Sequence, residues 1–278
     1  MYFKYLPPER IDVLRDRRIR FSPISSFTDR SELVKPVDPK DRLEAFLKQE
    51  EIISNESIKD WTEDELPDFH QMREAMINEV RGLLSPEAVG REVLESFDPK
   101  IGILSLCRTR NSHQMWDHYA KGFTGFVIGF DKTHRWISPR NPKVTLMDPQ
   151  PVRYTNEEML INENDPDASQ HLYCTKLKSY FWEKEIRLLR PMAAGNLIDG
   201  LDAFDNPIHL FPLEPAAVKE IIVGEKASQE IKEIAQAFQQ EHPRCVLRVA
   251  RACQKKRGQV ELLKMEVLSD NRQGRRKA

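Results

Sequence analysis

The sequence predicts an α+β protein, with a mixed, mostly antiparallel β core interrupted by a helical insertion. Three observations carry that prediction. Short apolar runs, such as Ile101 to Cys107, Phe126 to Phe130 and Val218 to Val223, have strand length and turn-forming flanks. Between Asp38 and Phe97 the composition turns polar, rich in Glu and Lys, and apolar residues recur at helical spacing. Apolar residues make up 40% of the 278-residue chain, enough for a sizeable core.

Taken in order, Tyr2 to Tyr5 reads as a strand. Pro7-Pro8 then opens a helix from about Glu9 to Asp16, since proline suits a first helical turn. Ile19 to Phe21 is a second strand, ended by Ser22-Pro23, and a loop carries Phe27, Asp29 and Glu32. The insertion, about residues 38–98, holds three or four helices, with Leu43, Phe46, Leu47 and Glu50 on one and Met72, Met76, Val80, Leu83 and Leu84 on another. Ile101 to Cys107 is a strand with Ile103 and Ser105 on one face and Leu104 and Leu106 on the other. A short aromatic helix follows from Met115 to Ala120, with Asn111 or Ser112 as its N-cap, and then the buried strand Phe126 to Phe130.

Further strands are read at Val152 to Tyr154, Lys184 to Leu189, Ile208 to Phe211 and Val218 to Val223, with Asn162 to Ser169 as an acidic loop. A helix from about Ser228 to Gln240 turns Ile231, Ile234, Ala235 and Phe238 inward. Val246 to Ala250 and Val260 to Val267 close the fold as a hairpin. Residues 1–270 thus form one domain, and residues 271–278 a basic, disordered tail.

Charge excludes more than it selects. Charged residues make up 31% of the chain, yet the net charge is −1, so no overall field marks it for nucleic acid, a membrane or an anionic substrate. The cysteines Cys107, Cys174, Cys245 and Cys253 form no Cys-x-x-Cys pair, which argues against a zinc knuckle and for reduced thiols in a cytoplasmic protein. Met1 to Arg10 lacks the apolar stretch of a signal peptide, and no apolar run approaches a membrane span.

Two stretches concentrate chemistry. The first packs Trp116, His118 and Tyr119 into four residues before a glycine turn, more aromatic and titratable chemistry than a scaffold helix needs. The second is Trp182-Glu183-Lys184-Glu185-Ile186-Arg187, where strand alternation puts Glu183, Glu185 and Arg187 on one face. That face reads equally as a salt-bridge ladder or as a catalytic carboxylate held by an arginine. His113, Asp117 and His118 lack a third ligand at a recognisable spacing, so no metal is expected. The basic residues Lys255, Lys256 and Arg257, with Arg272, Arg275, Arg276 and Lys277, read as a solvated turn and tail rather than a phosphate-binding surface.

Together these motifs resemble a bacterial family, domain-of-unknown-function family 2971. The resemblance rests on Lys4-Tyr5, Phe21-Ser22-Pro23, Phe27-Thr28-Asp29 with Glu32, Met115 to Asp131, and Lys178, Tyr180 or Trp182, Glu183, Glu185 and Arg187. Thr28 and Arg30 depart from the Asn and Pro usual in that loop. The order of elements also looks like the ADP-ribosyltransferase fold, which implies two packed sheets and NAD as substrate. By position, that likeness assigns cofactor contacts to Tyr5, Ser22, Trp116, His118 and Tyr119, and catalysis to Glu185 with Glu183 and Arg187. Glu185 would accept the ribose 2′-hydroxyl, Glu183 would orient the acceptor, and Arg187 would fix its neighbour or a phosphate. The expected function is therefore an NAD-using toxin or defence effector that modifies nucleic acid or protein, with an antitoxin-like partner a further expectation. The alternatives are a non-catalytic module recognising nucleic acid or protein, and a hydrolase using Glu183, Glu185 and His118.

Overall fold

A computed structural model describes residues 1–28, 35–143, 145–193, 197–253 and 258–265. Asp29, Arg30, Glu32, Lys255 to Arg257 and the 271–278 tail lie outside the described residues. The chain runs β1 (Tyr2–Leu6), α1 (Asp12–Arg15) and β2 (Arg18–Phe21), then α2 (Lys40–Ser57), α3 (Leu66–Leu83) and α4 (Pro86–Phe97). Next come β3 (Ile101–Cys107), α5 (His113–Tyr119), β4 (Phe126–Phe130), β5 (Gln150–Pro151), β6 (Arg153–Thr155), α6 (Ala168–Tyr173) and β7 (Thr175–Leu177). A 3-10 helix over Lys178–Glu183 leads into β8 (Glu185–Pro191), followed by β9 (Leu197–Leu201), β10 (Pro207–Pro212) and β11 (Val218–Gly224). The chain then forms α7 (Gln229–Glu241), β12 (Val246–Ala252) and β13 (Val260–Lys264).

The architecture is mixed α+β and mostly antiparallel. An eight-stranded sheet has the order β13-β12-β11-β4-β1-β3-β8-β5, beside a three-stranded sheet β2-β10-β9 and a pair β6-β7. The described strands thus form three sheets where two were expected. The third arises because β6, the strand read at Val152 to Tyr154, pairs in parallel with β7, which was not read from the sequence. β11 and β12 are also parallel, and α7 supplies the crossover such a pair needs.

All five residues of β4 are buried, as its unbroken apolar run requires of a strand covered on both faces. One face packs Leu6, Phe126, Ile128 and Phe130 against Val13 and Leu14 of α1 and Ile231, Ala235 and Phe238 of α7. The other packs Phe3, Tyr5 and Val127 against Met115 and Trp116 of α5. α5 can lie this close because Gly122 takes a positive φ of 60° and Gly125 passes against the Leu6 carbonyl, where any Cβ would clash. Ser112 caps α5, its Oγ accepting from the Met115 amide at 3.3 Å. The acidic loop read at Asn162 to Ser169 gives way to α6 at Ala168.

The helices of the insertion stand where expected, but their faces differ. Met72, Met76 and Leu83 are exposed, and Phe69 is the residue of α3 that is buried. α4 makes the tight contact with the body, burying Val89 and Val93 against Val37, Ile161 and Ala168.

One irregularity of the large sheet positions the site. β1 pairs with β4 through five residues and β3 with β8 through seven. Between β1 and β3 the register holds one pair, Phe3 with Cys107. β3 instead bends toward β2, where Ser22 and Ile103 exchange backbone hydrogen bonds of 3.0 and 2.8 Å. The sheet therefore opens between two of its own strands.

Candidate functional site

A cleft of about 270 Å³ occupies that opening. Phe3, Lys4 and Tyr5 line it from β1, Ser105 and Cys107 from β3, and Met115 and Tyr119 from α5. Lys176, Tyr180, Glu183 and Glu185 line it from the β7–β8 segment, and Phe27 from the loop after β2. Met115 and Tyr119 are four residues apart and so share one face of α5.

The charged floor of the cleft is a continuous network. Glu185 accepts from Arg187 at both oxygens, at 2.9 and 3.2 Å. Lys176 Nζ lies 2.9 Å from Glu183 and 3.7 Å from Glu185. Tyr119 donates its hydroxyl to Glu183 at 2.5 Å. Burial raises the Glu185 carboxyl, but the Arg187 guanidinium, Lys176 and the Ser105 hydroxyl more than reverse this and hold it at about 2. Glu185 is therefore an anion at neutral pH and cannot act as a general acid there. A carboxylate offers about four acceptor sites. Arg187 and Ser105 occupy three of them, and Lys176 Nζ stands 3.7 Å from Oε2.

Arg187 is fully buried behind Glu185. Its Nη1 donates to the Tyr173 carbonyl at 2.5 Å, and its guanidinium lies 5.0 Å from the Phe27 ring centre. It holds its neighbour Glu185 and is not among the residues that line the cleft. Lys4 donates to the Ser105 carbonyl at 3.0 Å across the opening. Burial lowers its ammonium to about 8, against the pull of Glu185 and with Arg10 and Arg20 adding to the effect. Tyr5 donates to the Thr109 carbonyl at 3.0 Å, and burial pushes its phenol up. Burial likewise pushes the Cys107 thiol up to about 11, so it is not a thiolate nucleophile at neutral pH.

The structure brings Tyr5, Tyr119, Glu183 and Glu185 to one cleft, with Arg187 behind them. It places three other candidates elsewhere. Trp116 is fully buried, stacked on Phe123 at 5.2 Å with its Nε1 donating to the Arg110 carbonyl, because α5 turns that residue to the sheet. His118 is exposed on the outer side of α5, its ring 5.2 Å from Trp182, and does not line the cleft. Ser22 lines an adjoining recess instead of the cleft.

Glu183 also reaches the site by a route other than strand alternation. It ends the 3-10 helix, and Lys184 then takes a left-handed conformation at φ 48°, so both glutamates face inward. Sequence reasoning passed over Lys176, Ser105 and the place of Lys4 in the cleft. A lysine opposite two glutamates seven and nine positions on carries no periodic signal. Lys4 was marked by the Lys-Tyr motif, but its partner is 101 residues away. His113 and Asp117 form a 2.8 Å pair, and no group of three or more His, Cys, Asp or Glu is placed to hold a metal among the described residues.

The motifs on α5, its glycine turn and β8 carry a family match. Residues 115–188 match the family model described as a protein of unknown function, DUF2971. The match supports the DUF2971 assignment read from Met115 to Asp131 and from the Glu-x-Glu-x-Arg motif. The DUF2971 segment contains Tyr119, Lys176, Tyr180, Glu183 and Glu185, whereas Lys4, Tyr5, Phe27 and Ser105 lie outside it. No curated protein and no solved structure matches the chain. No helix among the described residues is long and apolar enough to cross a membrane.

Proposed function

We propose that the chain is an NAD-using enzyme of the ADP-ribosyltransferase kind, with its reaction centre at Glu185. The observation that carries this reading is an ionised, buried glutamate that lines an aromatic-walled cleft. In the reaction, the bond between ribose C1′ and the nicotinamide nitrogen breaks, and its electron pair leaves with nicotinamide. Positive charge develops at C1′, as in glycoside hydrolysis. Glu185 accepts the 2′-hydroxyl and stabilises that charge in a poorly hydrated site. Glu183 takes the proton of the acceptor that attacks C1′. Tyr5, Phe27 and Tyr180 supply rings that stack on nicotinamide and exclude water.

The test is release of nicotinamide from labelled NAD by the full chain, with water, proteins and nucleic acids offered as acceptors. Wild type should release it, and Glu185→Gln, which keeps the shape and one acceptor oxygen, should not. Glu183→Gln should lose transfer while keeping NAD binding. Silence of the wild type with every acceptor sinks the enzyme reading. Saturable NAD binding without release favours the recognition module instead.

A further inference from the structure

A second cavity, of about 190 Å³, adjoins the cleft and shares Lys4, Phe27 and Ser105 with it. Its other polar lining is Arg10, Arg20 and Ser22. Three cations therefore face one recess whose lining includes no carboxylate among the described residues. Arg10 is oriented by Asp12, which is not part of the lining, through bonds of 3.1 and 3.4 Å from its Nε and Nη2. Arg20 is oriented by Asp202 and by Ser26. Its Nε is buried and has no hydrogen-bond partner among the described residues. A buried donor left unpaired costs free energy unless a ligand completes it. Lys4 stands at the junction and lines both cavities.

We infer that this recess binds the diphosphate of a nucleotide ligand whose ribose reaches Glu185 through the opening at Lys4. Preset guanidinium forks match phosphate oxygens, and their fixing carboxylates remove the need to order flexible side chains on binding. Ser22 contributes a hydroxyl to the same recess, where it would meet the ligand's phosphates. The inference extends the NAD reading, but its core, a site for diphosphate, stands or falls by itself.

The experiment is calorimetric titration of the full chain with inorganic pyrophosphate and with ADP-ribose at low ionic strength. Both should bind, and Lys4→Met and Arg20→Gln should each weaken them about tenfold, the scale of one lost charge-assisted contact. A second measurement needs no variant. Pyrophosphate should protect Lys4 of the wild type from acetylation, read by peptide mass spectrometry, while the exposed Lys226 stays reactive. Absence of binding, or Lys4 acetylated equally with and without pyrophosphate, overturns the inference. If pyrophosphate binds and protects Lys4 but NAD is never consumed, the recess stands and the enzyme reading falls. If both variants turn over NAD with unchanged KM, the recess falls and the enzyme reading stands.

Discussion

Two buried glutamates sit in the same sheet in different surroundings. Glu220, on β11, is 2% exposed and is held by Arg110 and Arg248 at 2.6 Å. Glu185, on β8, is 5% exposed and is held by Arg187 and Lys176. By burial and ion pairing they are alike. Their surroundings are not. β11 is paired through five residues on each side, so strands flank Glu220 on both edges, with a register shift between Val218 and Glu220 against β4. Glu185 lies across β3 from the single-pair junction with β1, where the ladder opens into the cleft. A buried carboxylate with cationic partners is therefore not a site by itself. Access decides, and access here comes from two strands that part.

This comparison can be broken by mutation. Glu185→Ala leaves the fully buried Arg187 without its carboxylate and should cost ~3–5 kcal/mol in chemical denaturation. The same pair governs acid stability. A group held at about 2 against an ordinary 4.5 contributes fully above 4.5, and that contribution is lost as pH falls toward 2. Wild type should therefore lose more stability than Glu185→Gln between about pH 5 and about pH 3, read by urea midpoints. Equal losses would mean the Arg187 pair does not set the carboxyl.

Glu220→Gln should be milder, because Arg110 and Arg248 keep partial solvent contact. A loss of ~1–3 kcal/mol is expected, with nicotinamide release from NAD unchanged. Abolished release in Glu220→Gln would erase the distinction between the two glutamates. Tyr119→Phe removes one hydrogen bond to Glu183 at the half-open edge of the cleft, so ~1 kcal/mol is expected, read as about a fivefold fall in release with the melting temperature preserved. The smallest effect belongs to His118→Ala. An exposed side chain away from the cleft should change stability by less than ~0.5 kcal/mol and leave release intact. A large loss there would place the reaction centre on the outer side of α5.

The sequence made the strands legible where burial is continuous. Ile101 to Cys107 and Phe126 to Phe130 were read with their observed boundaries, since an unbroken apolar run of that length has few other homes. The N-cap Ser112 and the inward face of α7 were legible because capping and helical period are local. The Glu-x-Glu-x-Arg motif was legible as a cluster of charge. Its geometry was not, because Glu183 arrives through a 3-10 helix and the left-handed Lys184, which alternation does not encode.

Trp116 shows the opposite limit. Its place beside Tyr119 in the sequence made it a candidate for the cleft, yet one residue of helix rotates a side chain by ~100°, enough to send it into the core. Chain-local physics thus determined which segments are helix or strand and which residues carry charge. Tertiary structure alone decided that β1 and β3 part after one pair, that Lys4 meets Ser105 across 101 residues, and that Lys176 bridges Glu183 and Glu185. The reason is physical. Strand pairing and buried charge depend on partners far along the chain, and no local period records which partner a strand will leave unpaired.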